Sequence, residues 1–393
     1  MDQEVSGQFN GISLKVRNLK CFGDEEQGFE DILPVNILVG RNNSGKSTLI
    51  DAIEYAITPA DISKLGHNGD TIPEIIITQP LKEEELRRVF RDSVSGGPLP
   101  GNHWDFGSKL IGLRTKLRIE YNNQLSFLDI VTDEGSYRDK CQRFTGELSS
   151  IITRATVGKI FKRLRSERDI KPETDNWPLE IRFNGDGATN AIQSFFTNST
   201  LPTNLVEEVL LDALNQVYRP DSSFSRMLPQ RIAPSGSAPW EVYLIEDFSK
   251  VPIALSQTGS GFKTILLALV YLYLIPTINN VNVQNYVFAF EELENNLHPA
   301  VQRRLLLYLR DFALKNGCTL FITTHSNVVI DLFSRDEYSQ IIHITRDENR
   351  TITRRVKPIL TTEEYWMIWT SGQVTYFRRI LLYGLKGLLT GST

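Results

Sequence analysis

Lys46 and Ser47 constrain the chemistry of this chain most tightly, because they close the segment Gly40-Arg41-Asn42-Asn43-Ser44-Gly45-Lys46-Ser47-Thr48. A G-x-x-x-x-G-K-[ST] loop points successive backbone N–H groups at a polyphosphate, with the lysine on the β/γ oxygens and the next hydroxyl on Mg²⁺. The apolar run 35–39 precedes the loop and STLIDAIEYAI follows it, which predicts a strand, a phosphate loop and a helix in that order. Binding of ATP or GTP is the direct implication.

Three later groups extend that chemistry. Glu291 and Glu292 end the apolar strand YVFAF, and two carboxylates at the end of a buried strand are costly unless a cation or a reaction needs them. Glu291 would then hold Mg²⁺, directly or through water, while Glu292 would orient and deprotonate the attacking water. A polar strand-to-helix turn would account for the same EELEN segment without chemistry. His325 follows the strand LFITT, where an imidazole could contact the γ-phosphate and the attacking water. The turn LSQTGSGFK, residues 255–263, feeds a helix whose first N–H groups could bind a second phosphate. A plain helix cap would look similar.

Elements that could position these groups alternate along the chain. ISLKVRNLKCF reads as a strand, IPEIIITQP as another, LKEEELRRVF as a helix with acidic residues early and arginines late, and SVSGGPLPGNHWDFGS as loop. LRTKLRIEY and QLSFLDIVT, joined through Asn122-Asn123, predict an antiparallel hairpin. From 149 to 171 the chain reads as helical and basic, with Arg154, Lys159, Lys162, Arg163, Arg165, Arg168 and Lys171. That is either a solvated face or a surface for nucleic acid or a partner. Residues 184–218 read as mostly helical and SSFSRMLPQRIAPSGSAP as punctuation. Beyond 260, helices alternate with the strands YVFAF, CTLFITT and QIIHITRD, which predicts a largely parallel sheet flanked by helices. The expected organisation is an N-terminal ATPase lobe with antiparallel strands (1–145), a mostly helical insertion (146–250), a C-terminal ATPase lobe (251–346) and a tail that packs on the core or docks a partner (347–393).

Taken together, GRNNSGKST, GSGFK, FAFEELENNLHP and ITTHS resemble the ABC-type ATPases of the OLD and RecF kind, relatives of the SMC proteins. The resemblance spans residues 11–346, most loosely in the insertion. It implies an α/β, ABC/SMC-type P-loop head. Gly40, Gly45, Lys46, Ser47 and Thr48 would form the Walker A loop and Glu291-Glu292 the Walker B end. Gly259, Ser260, Gly261 and Lys263 would act as a signature element offered to a partner subunit. Asn295, Asn296, Leu297 and His298 would be the D-loop, His325 the switch histidine and Gln79 a Mg²⁺-sensing glutamine. The signature departs from the usual pattern, since Phe262 and Lys263 stand where Gln or Glu follows Ser-Gly. In this family two heads sandwich two nucleotides, which implies at least a homodimer with ATP and Mg²⁺ as cofactors. OLD-like proteins often continue into a Toprim nuclease, whose carboxylate pattern is not found after Arg346. A stand-alone ATPase of this type resembles the ATPase half of two-component anti-phage systems of the PARIS and Septu kind, which control a separate effector. A RecF-like DNA-binding ATPase of replication or repair is the rival, and a weakly hydrolysing scaffold is a third reading. A small-molecule kinase would share the phosphate loop but not Glu291-Glu292 and His325.

Composition agrees with a globular ATPase. The 393 residues are enough for two lobes, with 41% hydrophobic and 23% charged residues, which argues against disorder. A net charge of −4 leaves any attraction to nucleic acid to local patches. Cys21, Cys141 and Cys318 lack metal or disulfide spacing and read as reduced thiols. With no leader and no long apolar span apparent, a cytoplasmic protein is expected. YFRRILLYGLKGLL is amphipathic, with Phe377, Ile380, Leu381 and Leu385 near one face and Arg378, Arg379 and Lys386 among its charges.

Overall fold

The computed structural model describes residues 7–356 apart from 61–64, 67–70, 95–100, 120–123, 133–134, 137–143, 235–236, 327 and 348–349. The Asn122-Asn123 turn, Cys141 and the amphipathic C-terminal segment lie outside the described residues.

Strands β1 (Ser13–Arg17) and β2 (Gln27–Phe29) pair antiparallel. β3 (Val35–Gly40) enters a different sheet, and its buried run passes through the phosphate loop into helix α1 (Lys46–Ile57). β4 (Glu74–Pro80) returns beside β1. After helices α2 (Glu83–Val89) and α3 (His103–Gly107), strands β5 (Arg114–Ile119), β6 (Leu125–Thr132) and β7 (Gly135–Ser136) complete an antiparallel sheet ordered β2-β1-β4-β5-β6-β7. α3 arises inside the stretch read as loop because the Asn102 side chain accepts from the Trp104 N–H at its head. Together with helix α4 (Thr145–Ile151), α2 and α3 close a small apolar cluster around Leu86, Phe90, Leu110, Phe144 and Leu148.

The next stretch differs from its sequence reading. In place of a basic helix over 149–171, α4 ends at Ile151 and β8 (Ile160–Leu164) forms the edge of the parallel sheet, in register with β12 from Tyr286↔Ile160 to Phe290↔Leu164. Tertiary pairing overrides local propensity here. Helix α5 (Ala188–Thr197) and a π turn (Leu205–Leu210) running into α6 (Leu211–Tyr218) supply the helical part. They are followed by a three-stranded antiparallel sheet of β9 (Phe224–Arg231), β10 (Trp240–Glu246) and β11 (Pro252–Ala254). Residues 146–250 are thus mixed rather than mostly helical. β9 escaped detection because Pro229 lies inside it, which an edge strand tolerates.

The remaining elements are helix α7 (Ser260–Ile278), β12 (Tyr286–Glu291), helix α8 (Pro299–Asn316), β13 (Thr319–Thr324), helix α9 (Val328–Phe333), β14 (Ser339–Asp347) and β15 (Arg350–Arg355). Their sheet is ordered β15-β14-β3-β13-β12-β8 and is parallel except for β15. Both faces are covered, so its strands read as unbroken apolar runs. Alternation divides them between two cores. Val35, Ile37, Val39, Phe288, Phe290, Leu320 and Ile322 face α7 and α8. Leu38, Val287, Ala289 and Phe321 face α1 and, beyond it, the antiparallel sheet. Glu291 has the parity of Val287 and Ala289, which sends its side chain toward α1 and the phosphate loop.

α7 is long and apolar enough by composition to cross a membrane, contrary to the expectation of no such stretch. Its residues are mostly buried among α5, α6 and the parallel sheet, as expected of a core helix.

Candidate functional site

The site forms where β3, β12 and β13 end side by side. Asn43 (φ 58°) and Gly45 (φ 110°) give the loop two left-handed residues. At Gly45 a Cβ would meet the Cys21 sulfur at 2.9 Å and the Phe22 ring at 3.2 Å, so this glycine is required both by conformation and by space. Arg41, Asn42, Asn43 and Ser47 are exposed, whereas Ser44, Lys46 and Thr48 are buried. The Ser44 hydroxyl is buried without a hydrogen-bond partner inside the loop, an orphan that a phosphate oxygen would satisfy. Lys46 Nζ donates to the carbonyls of Gly40 and Arg41, each at 2.9 Å, and lies 3.1 Å from His325 Nε2. Burial lowers the pKa of this ammonium, against the opposing fields of Glu292, Glu294 and Glu291.

Glu291 is 8% exposed. Its Oε2 accepts from Ser47 Oγ at 3.2 Å and its Oε1 accepts from Arg163 Nε at 2.5 Å. Arg163, on β8, also donates to Asp51 Oδ1 at 2.6 Å, and Asp51 accepts from Lys20 at 2.7 Å. Burial opposes the Arg163 charge, but the Glu291 and Asp51 contacts outweigh it and raise its pKa. The Ser47 hydroxyl and the Glu291 carboxylate form a pair of hard oxygens of the kind that binds Mg²⁺ beside a phosphate chain. The Thr323 hydroxyl, opposite Glu291 in the sheet register, is a second buried orphan.

Glu292 takes a left-handed backbone (φ 47°), which turns its side chain out of the strand toward His325. Its N–H donates to the Thr323 carbonyl at 2.8 Å, and Asn295 Nδ2 donates to Oε2 at 3.1 Å. His325 Nε2 lies 3.4 Å from Oε1. The His325 N–H donates to Glu294 Oε1 at 2.6 Å, tying the end of β13 to the turn after β12. Lys46, Ser47, Glu291, Glu292, Asn295 and His325 therefore form one connected set, although they come from three distant parts of the sequence.

Other candidates lie elsewhere. Gly259 and Ser260 are exposed at the head of α7. Gly261 packs so closely on the next turn that a Cβ would meet the Asn296 carbonyl at 2.5 Å and Leu297 at 2.9 Å. Lys263 does not project from this element but is buried in an ion pair with Asp169 at 2.7 Å. His298 caps α8, its Nδ1 accepting from the Ala300 N–H, with Pro299 opening the helix. Gln79 is buried, and both ends of its amide hold backbone: Nε2 donates to the Thr153 carbonyl and Oε1 accepts from the Ala155 N–H. It serves as a structural tie rather than a free metal ligand. Of the basic residues in 154–171, Arg154 is buried against Thr156, Arg163 pairs with Glu291, Arg168 bonds carbonyls and Lys171 pairs with Asp186. Lys159, Lys162 and Arg165 are left to a basic surface, and Arg165 lies over the Phe183 ring.

Arg163, Asp51, Arg168 and Glu294 were missed by sequence reading as members of the site. The signal for Arg163 was its parity with Phe161 in a strand, which the basic-helix reading of 149–171 concealed.

A glycine-rich loop between a parallel strand and a helix, with paired carboxylates and a histidine at the ends of the neighbouring strands, defines an ABC-type P-loop ATPase. The chain belongs to the family described as "AAA domain, putative AbiEii toxin, Type IV TA system", which matches residues 35–331. Among curated proteins it is 25% identical to an Escherichia coli protein named "Retron Ec83 probable ATPase", over 82% of this chain and 70% of that one. It is 23% identical to a Helicobacter pylori (strain ATCC 700392 / 26695) protein named "ATP/GTP phosphatase", over 82% of this chain and 87% of that one. Among solved structures, an SMC head bound to the C-terminal winged-helix domain of ScpA aligns with 90% of this chain and 98% of its own, at 14% identity and a TM-score of 0.47.

Proposed function

We propose that this ATPase is a nucleotide-driven switch that closes around ATP as at least a homodimer and controls a separately encoded effector, most simply a nuclease, in cytoplasmic anti-phage defence. The observation that carries the catalytic half of this reading is the convergence of Lys46, Glu292 and Asn295 around His325, whose Nε2 lies 3.1 Å from Lys46 Nζ and 3.4 Å from Glu292 Oε1.

In this reading the N–H groups of residues 42–48 and the Ser44 hydroxyl hold the phosphates, and Lys46 leaves the Gly40 and Arg41 carbonyls to neutralise them. Ser47 and Glu291 hold Mg²⁺, with Arg163 fixing the carboxylate. Held by these residues, the ion would supply positive charge to the phosphate chain. Glu292, steadied by Asn295, accepts the proton of a water whose oxygen forms the new bond to the γ-phosphorus as the bond to the ADP oxygen breaks. His325, whose Nε2 lies between Lys46 Nζ and Glu292 Oε1, would contact the terminal phosphate. The exposed Gly259-Ser260 head of α7 offers N–H groups to the partner's nucleotide, which gives dimerisation a reason. Lys263 takes no part in that contact, because Asp169 holds it.

The defence reading is supported by the relatives' names, a retron ATPase and a toxin–antitoxin family. The rival reading as a DNA-repair ATPase keeps only part of its sequence support, since Arg154, Arg163 and Arg168 are held inside and Lys159, Lys162 and Arg165 remain for a basic surface.

Light scattering of Glu292→Gln with ATP and Mg²⁺ tests the closed state. The expected mass is at least that of a dimer, alongside hydrolysis slowed on the order of 10²–10⁴-fold. A monomer under those conditions would refute the dimer, and full turnover would refute Glu292 as base. Recovery of a nuclease or toxin bound to the protein from its native cells is the matching test for an effector.

A further inference from the structure

Arg168 follows β8 and is the most heavily engaged guanidinium around the site, yet among the described residues no carboxylate touches it. Its terminal nitrogens donate to the Arg165 carbonyl (2.6 Å), the Glu291 carbonyl (2.6 Å) and the Glu292 carbonyl (2.8 Å). Its Nε donates to Thr264 Oγ1 on α7 at 3.0 Å. Burial pushes its pKa down to about 10, with Glu294, Glu292 and Glu291 opposing only through their fields. A half-buried cation held by carbonyls is a costly arrangement for packing alone, because an apolar side chain could fill the same space. What the fork provides is geometry: two consecutive carbonyls are grasped on either side of the peptide that ends β12, at the left-handed residue Glu292.

We propose that Arg168 is a positioning residue that clamps the Glu291-Glu292 turn against helix α7, fixing the direction in which the Glu292 carboxylate points. Released from the clamp, Glu292 can relax from its left-handed backbone, and its carboxylate leaves the position shared with His325 and Asn295. Through Thr264 the same side chain ties this turn to the helix whose head, Gly259-Ser260, is exposed. Displacement of that head is thereby passed to Glu292. This inference rests on the reading of Glu292 as the base.

A double-mutant cycle tests it, with single-turnover ATP hydrolysis and calorimetric ATP affinity measured for R168A, E292Q and R168A/E292Q. R168A should slow hydrolysis on the order of 10–10²-fold while leaving ATP affinity unchanged. In the E292Q background the same substitution should change the residual rate by no more than about twofold, since Arg168 acts through the group already removed. T264V, which removes the tie to α7, should show a smaller loss with the same non-additivity. Losses that multiply in the double variant, or wild-type hydrolysis in R168A, would overturn the inference while Glu292 keeps its role. Wild-type hydrolysis in E292Q would overturn the base assignment itself and the inference with it. If R168A does not fold, R168K replaces it in the cycle with the same expectations, because an ammonium cannot reach both carbonyls and Thr264 in the guanidinium geometry.

Discussion

Two glutamates of nearly equal burial mark the contrast between the antiparallel sheet and the parallel one. The side chain of Glu74 on β4 is 13% exposed and that of Glu291 on β12 is 11% exposed. Both Glu74 oxygens meet guanidinium groups, Arg17 on the neighbouring β1 and Arg118 on β5, and each of those arginines is 36% exposed. Glu291 has an arginine on one oxygen and a serine hydroxyl on the other. The first carboxylate is fully matched by cations at the edge of solvent, and the second keeps one oxygen for a further cation. Burial alone therefore does not set Glu291 apart from Glu74; the role proposed for Glu291 rests on its incomplete matching.

The largest expected effect sharpens the parallel-sheet side of this contrast. Lys46→Ala should lower ATP turnover by on the order of 10²-fold or more, measured by phosphate release at saturating Mg²⁺, because the charge that meets the β/γ oxygens is gone. Glu291→Gln should come next. Losing one negative charge beside Ser47 should raise the Mg²⁺ concentration needed for half-maximal hydrolysis by about 10-fold or more, at least the effect of losing a group that only supports a metal ligand. The protein should still bind ATP without metal. If the Mg²⁺ titration of Glu291→Gln matched that of the parent, the Glu291 oxygen beside Ser47 would have no cation to serve.

A smaller effect follows from the Lys46 amine, whose pKa lies below the ordinary 10.5 because it is buried. A bound triphosphate would restore the ammonium, so at alkaline pH binding takes up a proton. ATP affinity should then fall as pH rises, beginning below the pH at which an exposed lysine would titrate. Calorimetry in two buffers of different ionisation enthalpy would measure the uptake directly. No proton uptake at alkaline pH would mean that Lys46 stays charged when the loop is empty.

The parallel half was the more legible in sequence, for a physical reason. Val35–Gly40, Tyr286–Glu291 and Thr319–Thr324 are buried on both faces, so their unbroken apolar runs declare themselves, and Lys46, Glu291, Glu292 and His325 stand at their ends. The edge strand Ile160–Leu164 is half covered and carries Lys162 and Arg163, a pattern that local reading cannot separate from a basic helix. That one error hid Arg163 and Arg168. Gln79 and Lys263 failed in the opposite sense. Their residue types and places suited the family pattern, but their partners, the backbone at 153–155 and Asp169, lie far off in sequence.

The smallest expected effect probes the other side of the comparison. Glu74→Gln removes the charge between Arg17 and Arg118, a cross-strand arrangement on β1, β4 and β5. Partly exposed pairs contribute about 0.2–1 kcal/mol each, so the loss should be no more than about 2 kcal/mol. Glutamine keeps the shape and one acceptor oxygen, which limits the loss further. The melting temperature should drop by only a few degrees, more at low salt than at high, since screening already weakens the parent pairs. ATP turnover and its Mg²⁺ dependence should not change, because Glu74 shares no hydrogen bond with the site. A turnover loss comparable to that of Glu291→Gln would break the comparison, since it would make an ion-matched glutamate on the antiparallel sheet as important to hydrolysis as the half-matched one beside the phosphate loop.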